Sequence, residues 1–139
     1  MNQDSPNLLT KTLAFASVME IATALALAVD PALVVRLLLG VDATGIVISL
    51  ARFLGIALFA LGIACWPNAQ RSKHDTAAFR GMLAYNTLVA LFLAWIFVAE
   101  HGGGMLLWPA VVVHAIIAVL MLRAWIGEPP VRISENGSR

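Results

Sequence analysis

The sequence predicts an all-α integral membrane protein, a four-helix bundle with a short interfacial helix after the first span. Of its 139 residues, 60% are hydrophobic and only 12% are charged, whereas soluble domains are about 45–50% apolar and about 25% charged. Four apolar runs of about 20 residues are each long enough to cross a hydrocarbon core of roughly 30 Å. A chain of this length forms one domain, so residues 1–139 are predicted to be a single four-span unit.

Helix-ending residues bound the spans. The first run follows Ser5-Pro6 and stops before Asp30-Pro31, because proline is tolerated in the first turn of a helix and interrupts its interior. The second stops at Pro67. The predicted spans cover about 8–29, 46–66, 76–98 and 105–126.

The first run has a rival interpretation as a secretory signal peptide. Lys11 precedes an apolar stretch, and Ala26-Leu27-Ala28 resembles a cleavage site. However, Glu20 stands in the middle of the run, and the run exceeds the length of about 7–15 residues that is usual for a signal core. We therefore interpret it as an uncleaved helix.

The segment from Pro31 to Leu39 is apolar but too short to cross a bilayer. Asp30 can cap a short helix there, Pro31 suits its first turn, and Gly40 can end it. Arg36 would then face water or headgroups. We predict a short interfacial helix, with an ordered loop as the alternative.

The basic residues are distributed unevenly between the two sides of the predicted bundle. Only Arg36 lies clearly on the side away from the termini, and an excess of Lys and Arg marks the cytoplasmic side. Both termini are therefore predicted to be cytoplasmic. The basic residues on their side are Lys11, Arg71, Lys73, Arg80, Arg123, Arg132 and Arg139. Tryptophans near the span ends are typical of interfacial aromatic belts; they are Trp66, Trp95, Trp108 and Trp125.

Each predicted span carries one strongly polar residue well inside its apolar run. A charged group near the bilayer centre costs about 2.5–3.5 kcal/mol, so these side chains are expected to face the bundle interior. The helical rise places all four in one central layer. Small residues one turn away, such as Ser49 and Gly55 beside Arg52, favour inward-facing surfaces. The predicted polar layer is Glu20, Arg52, Asn86 and His114.

Three interpretations of this layer remain open. The first is structural: we predict a buried ion pair between Glu20 and Arg52 of the first two spans, with Asn86 bonded to His114. In the second, the layer binds a ligand or relays protons through Glu20 and His114. In the third interpretation Arg52 extends to the outer headgroups, and the polar groups are unconnected.

Several chemical functions find no support in the sequence. No nucleophile, base and orienting group occur at motif spacing, so no catalytic residue is assigned and an enzyme is not favoured. A lone Cys65 and the absence of a second histidine at the depth of His114 predict neither a metal site nor a cofactor. A net charge of +1 without a dense basic stripe argues against a nucleic-acid partner. Gly102-Gly103-Gly104 is interpreted as a turn.

A family resemblance rests on Asp30-Pro31, the short amphipathic segment after it, Ala51-Arg52-Phe53-Leu54-Gly55, and Gly62. In these features the chain resembles the small four-helix DoxX-like bacterial membrane proteins, some of which are subunits of quinone-linked oxidoreductases. The resemblance implies a multi-pass protein of the bacterial inner membrane, acting as a non-enzymatic binding or accessory subunit. Its implied partners are the lipid bilayer, a small hydrophobic ligand or quinone, and further copies or subunits of a membrane complex.

A second comparison concerns the first span alone. Met19-Glu20-Ile21-Ala22-Thr23 is similar to the glutamate motif of the small multidrug-resistance transporters, which would imply a proton-coupled small-molecule transporter using Glu20. This chain is longer, lacks the tyrosine- and tryptophan-rich second and third helices of that family, and has a stronger charge bias. The two functions differ in what Glu20 contacts, because a glutamate neutralised by Arg52 cannot readily exchange a proton for a substrate.

Overall fold

A computed structural model describes residues 8–67, 76–99 and 102–126, and the structural statements below refer to these ranges. Within them the chain forms five helices and no strand: α1 (Leu8–Val29), α2 (Pro31–Leu39), α3 (Ile46–Ala64), α4 (Thr76–Ala99) and α5 (Leu107–Ile126). All except α2 are long and apolar enough to cross a membrane. The predicted all-α membrane bundle is therefore confirmed, and the chain is a multi-pass membrane protein.

The short segment after α1 is a helix rather than a loop. The Asp30 side chain accepts a hydrogen bond from the Leu33 N–H at 3.0 Å, which caps the start of α2. Pro31 occupies the first turn. Gly40 ends the helix in a left-handed conformation (φ 76°), and its N–H donates to the Arg36 carbonyl at 2.9 Å. Glycine adopts this conformation without the steric cost of a Cβ atom.

The long helices form two closely packed pairs, α1 with α3 and α4 with α5. Helix α1 also packs against α5 and, less extensively, against α4, so it joins the two pairs. Helices α3 and α4 are not packed along each other. Because α1 is central, its inward face is the natural place for an interior site.

Two glycines allow α3 to approach α1 closely. A Cβ atom added to Gly62 would lie 2.6 Å from the Cγ1 atom of Ile21, and one added to Gly55 would lie 3.1 Å from the Ala24 carbonyl oxygen. Small residues at a helix interface bring two backbones together, which is a main source of packing energy in membranes.

The segment before α5 docks onto the end of α2. The Gly104 N–H donates to the Leu38 carbonyl at 3.0 Å, and the Leu106 N–H donates to the Leu37 carbonyl at 2.8 Å. A Cβ atom on Gly104 would collide with the backbone of Leu37 and of Arg36. The glycine triplet is thus more than the simple turn that the sequence predicts, and its docking explains why α5 begins at Leu107 rather than at 105.

Aromatic contacts mark both ends of the bundle. At the end that carries the termini, Phe79 packs edge-on against Trp125 with ring centroids 5.4 Å apart, and the guanidinium of Arg80 lies 5.3 Å from the centroid of the Trp125 ring. At the α2 end, Phe97 stacks on Trp108 at 5.2 Å. Amphipathic rings at these levels are typical of membrane interfaces.

Candidate functional site

Helix α1 places Glu20 in the centre of the bundle, where the side chain is only 1% exposed. Ala16 and Ser17, one turn earlier, and Ala24, one turn later, are buried on the same face. These small residues leave room for neighbouring helices to pack around the carboxyl group.

The carboxyl group of Glu20 lies close to the phenolic hydroxyl of Tyr85 in α4, and the two groups interact electrostatically. The Oε1 atom of Glu20 is buried and has no hydrogen-bond partner. The half-buried Tyr85 ring packs against two groups of buried apolar side chains. One group lies toward the end of the bundle that carries the termini, and the other lies around α2. Among the described residues, the carboxyl group therefore has a neutral neighbour and no counter-ion.

The predicted ion pair between Glu20 and Arg52 is wrong. Arg52 is exposed on the outer surface of α3, whereas Glu20 is buried against α4. Depth along a helix does not determine the direction of a side chain around the helix axis, because successive residues differ by about 100° at 3.6 residues per turn. The buried residues next to Arg52 are Ala51 and Gly55, which give α3 its inward face.

Asn86 and His114 join α4 to α5. The Nδ1 atom of His114 lies 2.9 Å from the Oδ1 atom of Asn86, and the Asn86 amide donates through Nδ2 to the Met82 carbonyl at 2.9 Å. Asn86 is completely buried and His114 is partly buried. Both side chains lie in the interior, as expected for polar groups that avoid lipid.

Tyr85 also connects the two sets of polar groups. Its ring lies edge-on to the ring of His114, with centroids 5.9 Å apart. The hydroxyl oxygen of Ser17 is buried on the Glu20 face of α1 and has no hydrogen-bond partner. We call these residues the polar cluster: Ser17, Glu20, Tyr85, Asn86 and His114.

Sequence reasoning missed two members of the polar cluster. Tyr85 is the single tyrosine of the chain, and it lies in mid-span rather than at the interface where tyrosine is enriched. A tyrosine at this depth, next to Asn86, is a sequence signal for a polar group inside the bundle. Ser17 gives no signal of its own in the sequence, because serine is common in membrane helices and can bond to its own backbone.

The polar cluster can exchange protons and hydrogen bonds. Its carboxyl and imidazole groups can each hold or release a proton, and its hydroxyl groups can donate or accept. In the part of the chain that the structure describes, no three His, Cys, Asp or Glu side chains converge as metal ligands would. Comparisons with protein-family models, with curated proteins and with solved structures find no match for this chain.

Proposed function

We propose that this protein is a non-enzymatic binding or accessory subunit of the bacterial inner membrane, of the DoxX-like type. In this proposal the polar cluster holds a small, largely apolar molecule with hydrogen-bonding groups, such as a quinone. One observation carries the proposal: the Oε1 atom of Glu20 and the Oγ atom of Ser17 are buried one turn apart on α1, and both lack a partner.

The energetic argument concerns these two atoms. A buried polar group without a hydrogen bond costs about 1–3 kcal/mol. A ligand carbonyl could accept a hydrogen bond from the Ser17 hydroxyl, and a ligand hydroxyl could donate to the Glu20 carboxylate. Binding such a molecule would remove a cost that the protein alone carries, which favours a binding role over a purely structural one.

The charge distribution supports a topology with cytoplasmic termini. Lys11, Arg80 and Arg123 are exposed near the end of the bundle that carries the termini. Near the opposite end, Arg36 lies within 3.9 Å of Asp42, so part of its charge is balanced. An excess of positive charge is typical of the cytoplasmic side.

Quinone binding is the direct test. We would place the protein in nanodiscs and titrate it with a short-chain ubiquinone, following quenching of tryptophan fluorescence. Ser17→Ala and Glu20→Gln should each weaken binding about fivefold or more, given the usual worth of a buried hydrogen bond. Thr87→Val is the matched control, because that exposed hydroxyl bonds to the Leu83 carbonyl of its own helix. Equal affinities in all four proteins would refute the proposal.

A second function, proton-coupled transport, is favoured by the surroundings of Glu20. No cation among the described residues pairs with this carboxyl group, so it remains available to exchange a proton for a cationic substrate. In proteoliposomes with an imposed pH gradient, a transporter should move tetraphenylphosphonium. Glu20→Gln should abolish the movement, and Arg52→Gln should leave it intact. If the protein binds quinone but does not move tetraphenylphosphonium along the gradient, the transport function is refuted and the binding function remains.

A further inference from the structure

Arg52 stands on the lipid-facing surface of α3, away from the polar cluster. The exposed side chains beside it are mainly apolar, including Phe53 at 70% exposure and Ile56 at 69%. Among the described residues, Arg36 forms an ion pair with Asp42, and no carboxylate lies close enough to Arg52 to form one. A guanidinium in apolar surroundings is costly unless an anion balances it.

The position of Arg52 along α3 indicates which anion can reach it. Arg52 follows the first residue of the helix, Ile46, by six positions, which corresponds to about 9 Å at 1.5 Å per residue. The aliphatic stem of arginine can bend along the helix and carry the guanidinium toward the α2 end. Ser49 is also exposed, one turn nearer that end. If the apolar span begins at Ile46, the guanidinium would then lie where lipid headgroups are expected.

We propose that Arg52, assisted by the Ser49 hydroxyl, binds the phosphate group of a membrane phospholipid in the leaflet at the α2 end. The guanidinium is planar and presents paired N–H donors that match two phosphate oxygens. The Ser49 hydroxyl can donate a further hydrogen bond to the same phosphate. The site is separate from the polar cluster and does not depend on the proposed function.

A carboxylate from a second copy of this chain is a weaker candidate for the anion. Near the α2 end, the described acidic side chains already have partners: Asp30 accepts from the Leu33 N–H, and Asp42 pairs with Arg36. Glu20 is buried in the interior. The phospholipid phosphate is present at the required level around every copy of the protein, so we assign it as the ligand.

Native mass spectrometry of the protein in a maltoside detergent tests this site. Phosphatidylglycerol and a diacylglycerol with the same acyl chains would be titrated separately, since the second lipid lacks the phosphate. Wild-type protein should bind phosphatidylglycerol preferentially, and Arg52→Leu should weaken that binding about tenfold, as for a charge-assisted hydrogen-bonded pair. Ser49→Ala should weaken it less.

Arg36→Leu is the matched control, because it removes another exposed arginine near the same end and should change the affinity by less than about twofold. Three results would overturn the proposal: equal affinity of wild type for the two lipids, unchanged affinity in Arg52→Leu, or dissociation of an oligomer on that substitution. If Arg52→Leu does not fold, Arg52→Lys is the test. It keeps the positive charge but removes the paired N–H donors of the guanidinium, so it should still weaken phosphate binding.

Discussion

His114 of α5 and Asn86 of α4 meet in the bundle interior with 2.9 Å between Nδ1 and Oδ1. Because the Asn86 Nδ2 atom donates to the Met82 carbonyl, the Oδ1 atom must accept. The proton of the imidazole therefore lies on Nδ1, and Nε2 is left for other contacts. This bond gives the α4–α5 pair a specific register.

We expect Asn86→Leu and His114→Leu each to lower the free energy of unfolding by about 1–3 kcal/mol, since each leaves a buried polar group unpaired. The double substitution should cost less than the sum, with a coupling of about 0.6–1.7 kcal/mol, the range measured for such bonds in membranes. Unfolding in detergent measures this cycle. Thr87→Val, at an exposed hydroxyl on α4, is the control; strictly additive effects would show that the bond contributes nothing.

Tyr85→Phe should affect the protein through Glu20. The change removes the hydroxyl that lies close to the carboxyl group and retains the ring that packs against His114. We expect a loss of about 1–3 kcal/mol in the wild-type background. In a Glu20→Gln background the loss should be smaller, because an amide costs less to bury without a partner than a carboxylate does. Equal losses in both backgrounds would show that the Tyr85 hydroxyl and the Glu20 carboxyl group do not interact.

Gly104→Ala should destabilise the corner between α2 and α5. The new methyl group would collide with the backbone of Leu37, so the two backbone hydrogen bonds at the corner must lengthen. Overpacking of this kind costs about 1–3 kcal/mol. Gly81→Ala is the matched control, because Gly81 lies in α4 with nothing near its missing Cβ atom. There, alanine should stabilise the helix by about 0.8–1 kcal/mol. The temperature of thermal unfolding should therefore fall for Gly104→Ala and rise for Gly81→Ala.

Gly62→Ala should separate α3 from α1. Its methyl group would press on the Ile21 side chain and lie 3.0 Å from the Ser17 carbonyl oxygen. Ile21 can adjust, but the backbone of Ser17 cannot. We expect a loss of about 1–3 kcal/mol. The loss should be smaller in an Ile21→Ala background, because that substitution removes the Cγ1 atom. An equal loss in both backgrounds would show that the backbone contact limits the approach of the helices.

The topology can be tested by labelling with a membrane-impermeant thiol reagent in cells. In a Cys65→Ala background, Val41→Cys should react from outside, because Val41 is exposed just after α2. Lys73→Cys should react only after the membrane is opened, since the sequence predicts a cytoplasmic position for residue 73. The reverse pattern would invert the proposed orientation.

The helices could be predicted from the sequence because their signals are local. Apolar length identified the four spans, and Asp30, Pro31 and Gly40 identified α2 through capping and turn chemistry. Three observed ends differ from prediction by one or two residues. Helix α3 ends at Ala64 because Trp66 donates to the Ile63 carbonyl and tightens the last turn before Pro67.

The interior was harder to predict because it depends on how the helices rotate and pair. The small residues Ser49 and Gly55 predict that Arg52 faces inward, but only Gly55 is buried. A small residue one turn away therefore does not determine the direction of the Arg52 side chain. Tyr85 gives little polar signal in the sequence, because an aromatic ring in a membrane helix is usually counted as apolar. Which residues Glu20 meets depends on α1 lying between the two helix pairs, and no local pattern encodes that arrangement.

The backbone bonds from Gly104 and Leu106 to the last turn of α2 have a consequence for how deep that helix can lie. Carbonyl groups at a helix end normally require water, and this requirement keeps most short helices at the wet surface of a membrane. Here the Leu37, Leu38 and Arg36 carbonyls all accept hydrogen bonds from the chain itself. The end of α2 can therefore lie nearer the hydrocarbon with a smaller solvation penalty than most short helices, and the charges of Asp30, Arg36 and Asp42 oppose deeper immersion.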